Sequence, residues 1–202
     1  MPTLFAHALV PLALRVAFGR AAVPPRLLAA GALAAVAPDF DSIGFALGIA
    51  YADAFGHRGA SHSLAFAFAV GVLGALAARW LGTTRWRAFV VLAFCTASHP
   101  LLDALTNGGL GVALLWPWSE ARLFAPWRPI AVSPIGAGFF SLRGVAVLGS
   151  ELVWVVAPLG ALAATGRMFR RRRAMSGTPG VGMRRAPDGA PQDARLESGQ
   201  GR

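Results

Sequence analysis

All four histidines of this chain lie in short polar segments that interrupt an otherwise apolar sequence. These segments hold the candidate metal ligands His7, Asp39, Asp41, His57, His62, His99 and Asp103, together with Arg58. Imidazole nitrogens and carboxylate oxygens are ligands that suit zinc, manganese or iron. The grouping therefore predicts a metal site, provided that the fold brings the four segments together.

His99 and Asp103 form the clearest pair. They are four residues apart, so on a helix their side chains share one face and can reach one ion. Pro100, inside this stretch, suggests a kink or a new helix start. The alternative is a buried His–Asp pair without a metal, although an ionisable pair in an apolar span is costly and typical of functional sites.

Asp39 and Asp41 follow Pro38, which disfavours helix at Ala37 and predicts that an apolar helix ends there. Residues two apart face one site only in an extended segment or a turn. One carboxylate is then expected to bind metal, and the other to orient a ligand or act as a general base. Alternatively, both cap a following helix over Ser42–Tyr51.

The segment Gly56–Ser63 places two histidines five residues apart across glycine turns, and both can reach one cation. Ser61 is expected to cap the helix that follows. The guanidinium of Arg58 suits a phosphate or carboxylate anion. Its alternative is an ion pair with one of three aspartates: Asp39, Asp41 or Asp53. His7 is the weakest candidate ligand, because a lone histidine near a helix start is more often interfacial.

The composition, with 55% hydrophobic and 14% charged residues, points away from a water-soluble globular fold. Five apolar runs can be tested against the roughly 17–25 residues that a membrane helix needs. They are Thr3–Phe18, Ala21–Ala37, Ser63–Leu81, Ala88–Leu105 and Gly144–Gly166. We therefore predict an all-α polytopic membrane protein with about five transmembrane helices. The first run could instead be a secretory signal peptide, although it lacks a positively charged start.

The net charge of +10 is concentrated behind the last apolar run, where the arginines begin at Arg167. Such a cluster is typical of the cytoplasmic flank of a membrane helix and can contact anionic lipid. Phe169 is the single aromatic residue among these arginines, too few for the alternation of basic and aromatic residues that binds nucleic acid, so nucleic acid is not an expected partner. Residues 1–166 are thus predicted to be a membrane domain, and residues 167–202 a basic juxtamembrane segment and a disordered tail.

Arginine counts also predict the orientation of the five runs. The first and third connections and the C-terminal tail are arginine-rich and are placed in the cytoplasm. With this orientation every candidate ligand lies near the outward face of the membrane. The arginine count did not use the positions of the ligands, so this agreement is independent support for one site. Three outer tryptophans, Trp116, Trp118 and Trp127, are expected to form a lid over the site or a plain interfacial anchor.

The motifs Gly-His-Arg-Gly-x-Ser-His-Ser, Pro-Asp-x-Asp, Ser-His-x-x-x-Asp and Leu-Leu-Trp-Pro together resemble the YdjM-like inner-membrane proteins, which are described as metal-dependent hydrolases. That family is distantly similar to zinc-dependent phospholipase C and the related single-strand nucleases. The resemblance implies that His99 and Asp103 bind metal, with His57, His62 and one or both of Asp39 and Asp41. Many members have a histidine directly after the second aspartate, where this chain has Ser42.

These observations predict a membrane-embedded hydrolase that binds one or two divalent ions, with zinc the expected metal. A bound metal lowers the pKa of water to about 7. Asp41 or Asp39 would orient or deprotonate that water, and Arg58 would hold the anion of an ester or phosphoester, which membrane lipids could supply. The alternatives are a cation or proton transporter and a non-catalytic scaffold whose metal ties helices together. A conduction path should continue toward the cytoplasmic face, where the runs have almost no polar residues; Glu151, near the outer half of the last run, is the exception.

Overall fold

The computed structural model describes residues 1–134 and 136–176, and over these residues it is helical, without a β-strand. The elements are α1 (Leu4–Phe18), α2 (Pro25–Val36), a 3₁₀ helix (Ala37–Leu47), a 3₁₀ turn (Ala60–His62), α3 (Leu64–Leu76), α4 (Ala78–Leu81), α5 (Arg85–Ala104), a second 3₁₀ turn (Gly136–Phe139), α6 (Leu142–Glu151), a π-helix (Leu152–Val156) and α7 (Ala157–Ser176). Most of the predicted disordered tail, residues 177–202, lies outside the described residues. The all-α class is confirmed.

Two helices in the described part of the chain are long and apolar enough to cross a membrane: the 23 residues of Pro25–Leu47 and the 35 residues of Leu142–Ser176. The apolar helices α1 and α3 have only 15 and 13 residues. Fifteen helical residues span about 22 Å, less than the roughly 30 Å of a hydrocarbon core. The five predicted crossings therefore stay a prediction.

Two of the predicted runs have different limits in the structure. The third run is interrupted at Ala77, between α3 and α4, and ends at Gly82, which adopts a left-handed φ of 70°. The last run was expected to end at Gly166, but its helix continues through the arginine cluster to Ser176. Extending the helix satisfies backbone groups internally, and exposed arginines are good helix formers.

The helices that carry the candidate ligands pack closely around α5. A cluster of buried side chains from α2, α4 and α5 includes Leu27, Leu81 and Leu92. α3 approaches α5 through glycines, since a Cβ atom at Gly74 would lie only 2.6 Å from Leu92 Cδ1. On the other side of the bundle, α1 packs against α2 and α7. Small residues at such contacts allow helix backbones to approach closely.

The connection from residue 106 to 130 is non-helical and covers the loop of residues 48–63, which carries His57 and His62. Its backbone joins that loop and the start of α3: Ala113 N donates to Arg58 O at 2.9 Å, and Leu64 N donates to Leu114 O at 3.0 Å. Arg122 donates to three carbonyl oxygens of the loop, those of Tyr51, Asp53 and His57, at 3.2, 2.8 and 2.8 Å. The connection therefore braces the loop from outside the helix bundle.

Candidate metal centre

His99 and Asp103 lie on the buried face of α5, as their spacing predicted, and both side chains are fully buried. Pro100 lies within the helix and neither ends nor restarts it, so the predicted new helix start is wrong. His99 Nδ1 lies 2.7 Å from the carbonyl oxygen of Ala35 in α2. A carbonyl only accepts hydrogen bonds, so Nδ1 carries a proton, and in the neutral tautomer Nε2 presents its lone pair.

Asp39 and Asp41 lie on the 3₁₀ helix that follows α2. The extended segment or turn that would let both carboxylates face one site does not form, and the separate helix predicted over Ser42–Tyr51 is wrong because the 3₁₀ helix runs from Ala37 to Leu47. With three residues per turn, side chains two positions apart diverge by about 120°. Asp39 Oδ1 accordingly faces His99 Nε2 at 3.2 Å, whereas Asp41 points toward the loop and contacts His57.

His62 lies between the two aspartates and separates their environments. Its Nδ1 is 3.0 Å from Asp41 Oδ2, and its Nε2 is 3.5 Å from Asp103 Oδ2 and 3.8 Å from Asp39 Oδ1. Burial by itself would lower the pKa of His62, but the carboxylates of Asp103 and Asp41 favour the protonated ring and raise that pKa above 6.5. The ring therefore sits where positive charge is stabilised.

Asp41 lies on the 3₁₀ helix, and its carboxylate accepts several hydrogen bonds from the loop. It accepts from Ser61 Oγ at 2.6 Å, from the backbone N–H of Arg58 at 3.1 Å and from His57 Nδ1 at 2.7 Å, besides its contact with His62. Ser61 was expected to cap α3, but the cap is Ser63, whose hydroxyl accepts from the N–H of Phe66. The carboxylate of Asp41 thus orients both loop histidines.

Arg58 is buried, with a left-handed backbone φ of 64°, and its Nε lies 3.0 Å from Asp103 Oδ2. The N–H direction is not aligned with that oxygen, so the contact is an ion pair by distance. Its terminal nitrogens donate to Gly108 O and Thr106 Oγ1 at 2.9 and 3.2 Å. The sequence offered Asp39, Asp41 or Asp53 as ion-pair partners; the structure provides Asp103 instead.

His7 reaches the cluster from α1. Its ring is fully buried and stacks on His99, with ring centroids 3.7 Å apart and planes inclined by 13°. His7 Nε2 lies 3.8 Å from Asp103 Oδ1, and neither ring nitrogen forms a hydrogen bond with any residue that the structure describes. The fold thus brings the weakest sequence candidate next to the strongest pair.

Four residues present one ligand atom each within 4.8 Å of one another: Asp39, His62, His99 and Asp103. The atoms that face each other are His62 Nε2, His99 Nε2 and both oxygens of each aspartate, and none of these buried atoms has a hydrogen-bond partner in the described part of the chain. Buried polar atoms are normally paired. Facing nitrogen lone pairs and carboxylates leave the space between them suited to a cation.

The charge of the site leads to the same conclusion. Asp39, Asp41 and Asp103 carry three negative charges, and among the described residues Arg58 is the one buried guanidinium that contacts them. With neutral imidazoles this leaves a net charge of −2 among groups almost wholly shielded from water, which is unfavourable unless compensated. One divalent ion, or two protons on histidines, would neutralise it.

A second group, Asp41, His57 and His62, also has donor atoms within 4.8 Å of one another. Here the atoms are already engaged with each other, at 2.7 Å for His57–Asp41 and 3.0 Å for His62–Asp41. This group is therefore a hydrogen-bond network beside the cluster. His62 links the two groups because its Nδ1 faces Asp41 and its Nε2 faces the cluster.

Three contributions to the site were not predicted from the sequence. The Ala35 carbonyl orients His99, Thr106 binds Arg58, and Arg122 holds the loop. A backbone carbonyl has no residue-type signal, and the sequence around Arg122 does not indicate which carbonyl oxygens it would contact. Thr106 could have been suspected, since it lies three residues after Asp103 at the helix end.

Comparison with known proteins gives a consistent classification. The family described as YdjM inner membrane protein matches residues 1–173. The chain is also similar to inner membrane protein YbcI of Escherichia coli (strain K12), with 43% identity over 175 residues, which covers 86% of this chain and 100% of the relative. No solved structure matches the chain.

Proposed function

The chain belongs to the YdjM inner membrane protein family, and we propose that it is a metal-dependent hydrolase of an ester or phosphoester. One observation carries this proposal: within the described residues, four buried side chains turn acceptor atoms that receive no hydrogen bond toward one point. A hydrogen-bonded core would have paired these atoms with donors. Nitrogen and oxygen donors without a nearby thiolate suit zinc, manganese or iron, and we propose zinc.

The orientation of the two histidines favours a metal over protons alone. Each uses Nδ1 on a fixed acceptor, Ala35 O for His99 and Asp41 for His62, and each turns Nε2 inward. Outer partners of this kind fix the tautomer and ring orientation of metal ligands. The net charge of −2 further favours a single divalent ion, because a second one would leave an uncompensated positive charge.

The residues take distinct roles in this proposal. Asp39, His62, His99 and Asp103 hold the ion, with His7 beside them. When bound, the ion would act as a Lewis acid and lower the pKa of water, which supplies a nucleophile near neutral pH. Asp41, whose oxygens are occupied by donors, orients His57 and His62 rather than acting as a base, and Arg58 compensates the charge of Asp103. The predicted anion-binding role of Arg58 would use its remaining N–H groups.

The proposed placement in the membrane keeps five crossings, with the cluster near the outer face and the arginine-rich end of α7 in the cytoplasm. The segregation of charge supports it, since Arg170 donates to the Val16 carbonyl near the end of α1, whereas His7, near the start of α1, contacts the cluster. A cluster at the membrane surface could receive a lipid-borne substrate from the bilayer. Cysteine labelling from either side, at Asp53 and Arg171, tests this orientation.

The burial of the cluster keeps a non-catalytic scaffold as the second candidate. All four proposed ligands are at most 4% exposed, so an ion there would also tie α2 and its 3₁₀ extension to α5. The third candidate, a cation transporter, would need a polar path that continues toward the cytoplasmic end. Metal-dependent cation flux in proteoliposomes would favour that candidate over a hydrolase.

The test is elemental analysis of detergent-purified protein, wild type beside the double variant His99→Ala/Asp103→Ala. Asp53→Asn, which alters an exposed aspartate outside the cluster, is the matched control. We expect stoichiometric metal in the wild type and control, and none in the double variant. The loaded protein should then hydrolyse chromogenic phosphoesters or phospholipids. A wild type without metal after reconstitution would refute the proposal; metal without hydrolysis would favour the scaffold.

A further inference from the structure

A buried carboxylate outside the metal centre contacts the start of α1. Glu151, the last residue of α6, is 4% exposed. One of its oxygens accepts from the backbone N–H of Thr3, and the other accepts from the Thr3 hydroxyl at 2.7 Å. Thr3 is the N-cap of α1, and its own oxygen accepts from the N–H of Ala6 at 3.4 Å. Glu151 therefore holds the first turn of α1, where a negative charge is favoured by the helix dipole.

Thr3 lies four residues before His7, so the two side chains share one face of α1 one turn apart. Over residues 1–134 and 136–176 the ring of His7 has no hydrogen-bond partner, so packing and the position of the helix determine where the ring lies. Ala6, Ile130 and Val155 form a small buried cluster beside it. The π-helix also begins directly after Glu151, an irregularity that often occurs at functional sites.

We propose that Glu151 is a positioning residue, which fixes the start of α1 and thereby keeps the His7 ring stacked on His99. Glu151 does not touch the cluster itself. In the part that concerns zinc, this inference rests on the proposed function, in which His7 supplements the four ligands. The stacking of His7 does not depend on a metal, so the inference can be tested separately.

The first experiment maps histidine accessibility in metal-free protein by carbethoxylation with diethyl pyrocarbonate and mass spectrometry. Glu151→Leu removes both acceptors, whereas Glu151→Gln keeps one acceptor and one donor for Thr3. In Glu151→Leu we expect His7 to be modified about tenfold faster than in wild type, and Glu151→Gln should restore most of the protection. His62 is the internal control, because Asp41 holds it independently.

Three results would overturn the proposal in this experiment. In the first, His7 is protected equally in Glu151→Leu and wild type. In the second, His7 and His62 become reactive together in Glu151→Leu, which indicates that the whole fold is loosened. In the third, Glu151→Gln does not restore the protection of His7. Glu120→Leu, at an exposed glutamate, should leave both rates unchanged. Because no metal is present, these outcomes do not depend on whether the protein is a hydrolase.

The second experiment measures zinc affinity by competition with a chromophoric chelator. Outer partners of ligands typically contribute 10–100-fold to metal affinity. We expect Glu151→Leu to weaken zinc binding by about tenfold in wild type and to have no further effect in a His7→Ala background. Equal effects in both backgrounds would show that Glu151 does not act through His7. Failure of wild type to bind zinc would instead refute the proposed function and leave the accessibility result intact.

Discussion

Replacing Asp39 by asparagine tests whether this buried carboxylate is a metal ligand or is already paired with groups of the protein. If Asp39 is a metal ligand, Asp39→Asn removes that ligand, and in the metal-free protein it also relieves the repulsion between the carboxylates of Asp39 and Asp103. The donor atoms of Asp39 and Asp103 lie within 4.8 Å, where like charges repel by about 3 kcal/mol at an effective dielectric constant near 20. The ion pair of Arg58 with Asp103 offsets part of this repulsion. The metal-free variant should therefore be at least as stable as metal-free wild type.

Zinc, in contrast, should make wild type more stable than Asp39→Asn. At a free zinc concentration 100 times the dissociation constant, binding stabilises the native state by about 2.7 kcal/mol. For a domain of this size each kcal/mol raises the unfolding midpoint by about 2–4 °C, so zinc should raise the wild-type midpoint by about 5–11 °C. In Asp39→Asn the same zinc concentration should produce little or no increase.

The assay is thermal unfolding in detergent, followed by tryptophan fluorescence with chelator or with buffered zinc. Asp53→Asn is the matched control, because Asp53 is exposed and accepts only the local N–H of Ala50. It should retain the full zinc response. The reasoning is refuted if zinc stabilises Asp39→Asn as much as wild type, or if the metal-free variant unfolds several degrees earlier, since Asp39 would then already be paired in the native state.

Three further outcomes are expected. The pKa of His62 is raised in the folded protein, so protonation of His62 stabilises the metal-free protein. This contribution is complete below pH 6.5 and is lost as pH rises through the folded pKa, so the unfolding midpoint should fall over that range. Bound zinc should make the midpoint independent of pH there, because a metal ligand cannot also be protonated. Arg122→Ala removes three hydrogen bonds to loop carbonyls, so amide exchange over the loop should accelerate about tenfold or more. Gly74→Val, where a Cβ would meet Leu92 Cδ1 at 2.6 Å, should lower the free energy of unfolding by about 1–3 kcal/mol.

Matched variants accompany these measurements. Arg128→Ala removes an exposed arginine that stacks on Phe124 and should leave loop exchange unchanged. Gly149→Ala adds a Cβ with no atom within 4 Å on α6 and should be neutral or slightly stabilising. A pH-independent midpoint without metal, unaltered loop exchange in Arg122→Ala, or a neutral Gly74→Val would each contradict the corresponding contact.

The membrane character and helical class could be predicted from composition and apolar runs, because a chain this apolar can satisfy its backbone in lipid only within helices or closed barrels. The number of crossings could not be predicted as firmly. α3 ends at Leu76, short of the predicted Leu81, and α1 is shorter than the hydrocarbon core. Run length in a sequence does not reveal where a helix breaks, since a break depends on the neighbouring helices.

The sequence by itself determined which residues could form the centre and one pair within it. His99 and Asp103 share a face through helical periodicity, a local property that needs no knowledge of the rest of the fold. The resemblance to the family supplied the other members as a set. The sequence also predicted that Asp39 and Asp41 divide the roles of metal ligand and orienting group, but it did not predict the 3₁₀ backbone that makes the two side chains diverge.

The tertiary structure alone decided which atoms face each other. It placed His7 against His99, paired Arg58 with Asp103, and turned the Ala35 carbonyl toward a histidine 64 residues away. These distances are set by how α1, α2 and α5 pack, and packing depends on side-chain volumes and backbone approach across the whole bundle. Periodicity determines which face of a helix a residue occupies, whereas only packing determines what that face meets.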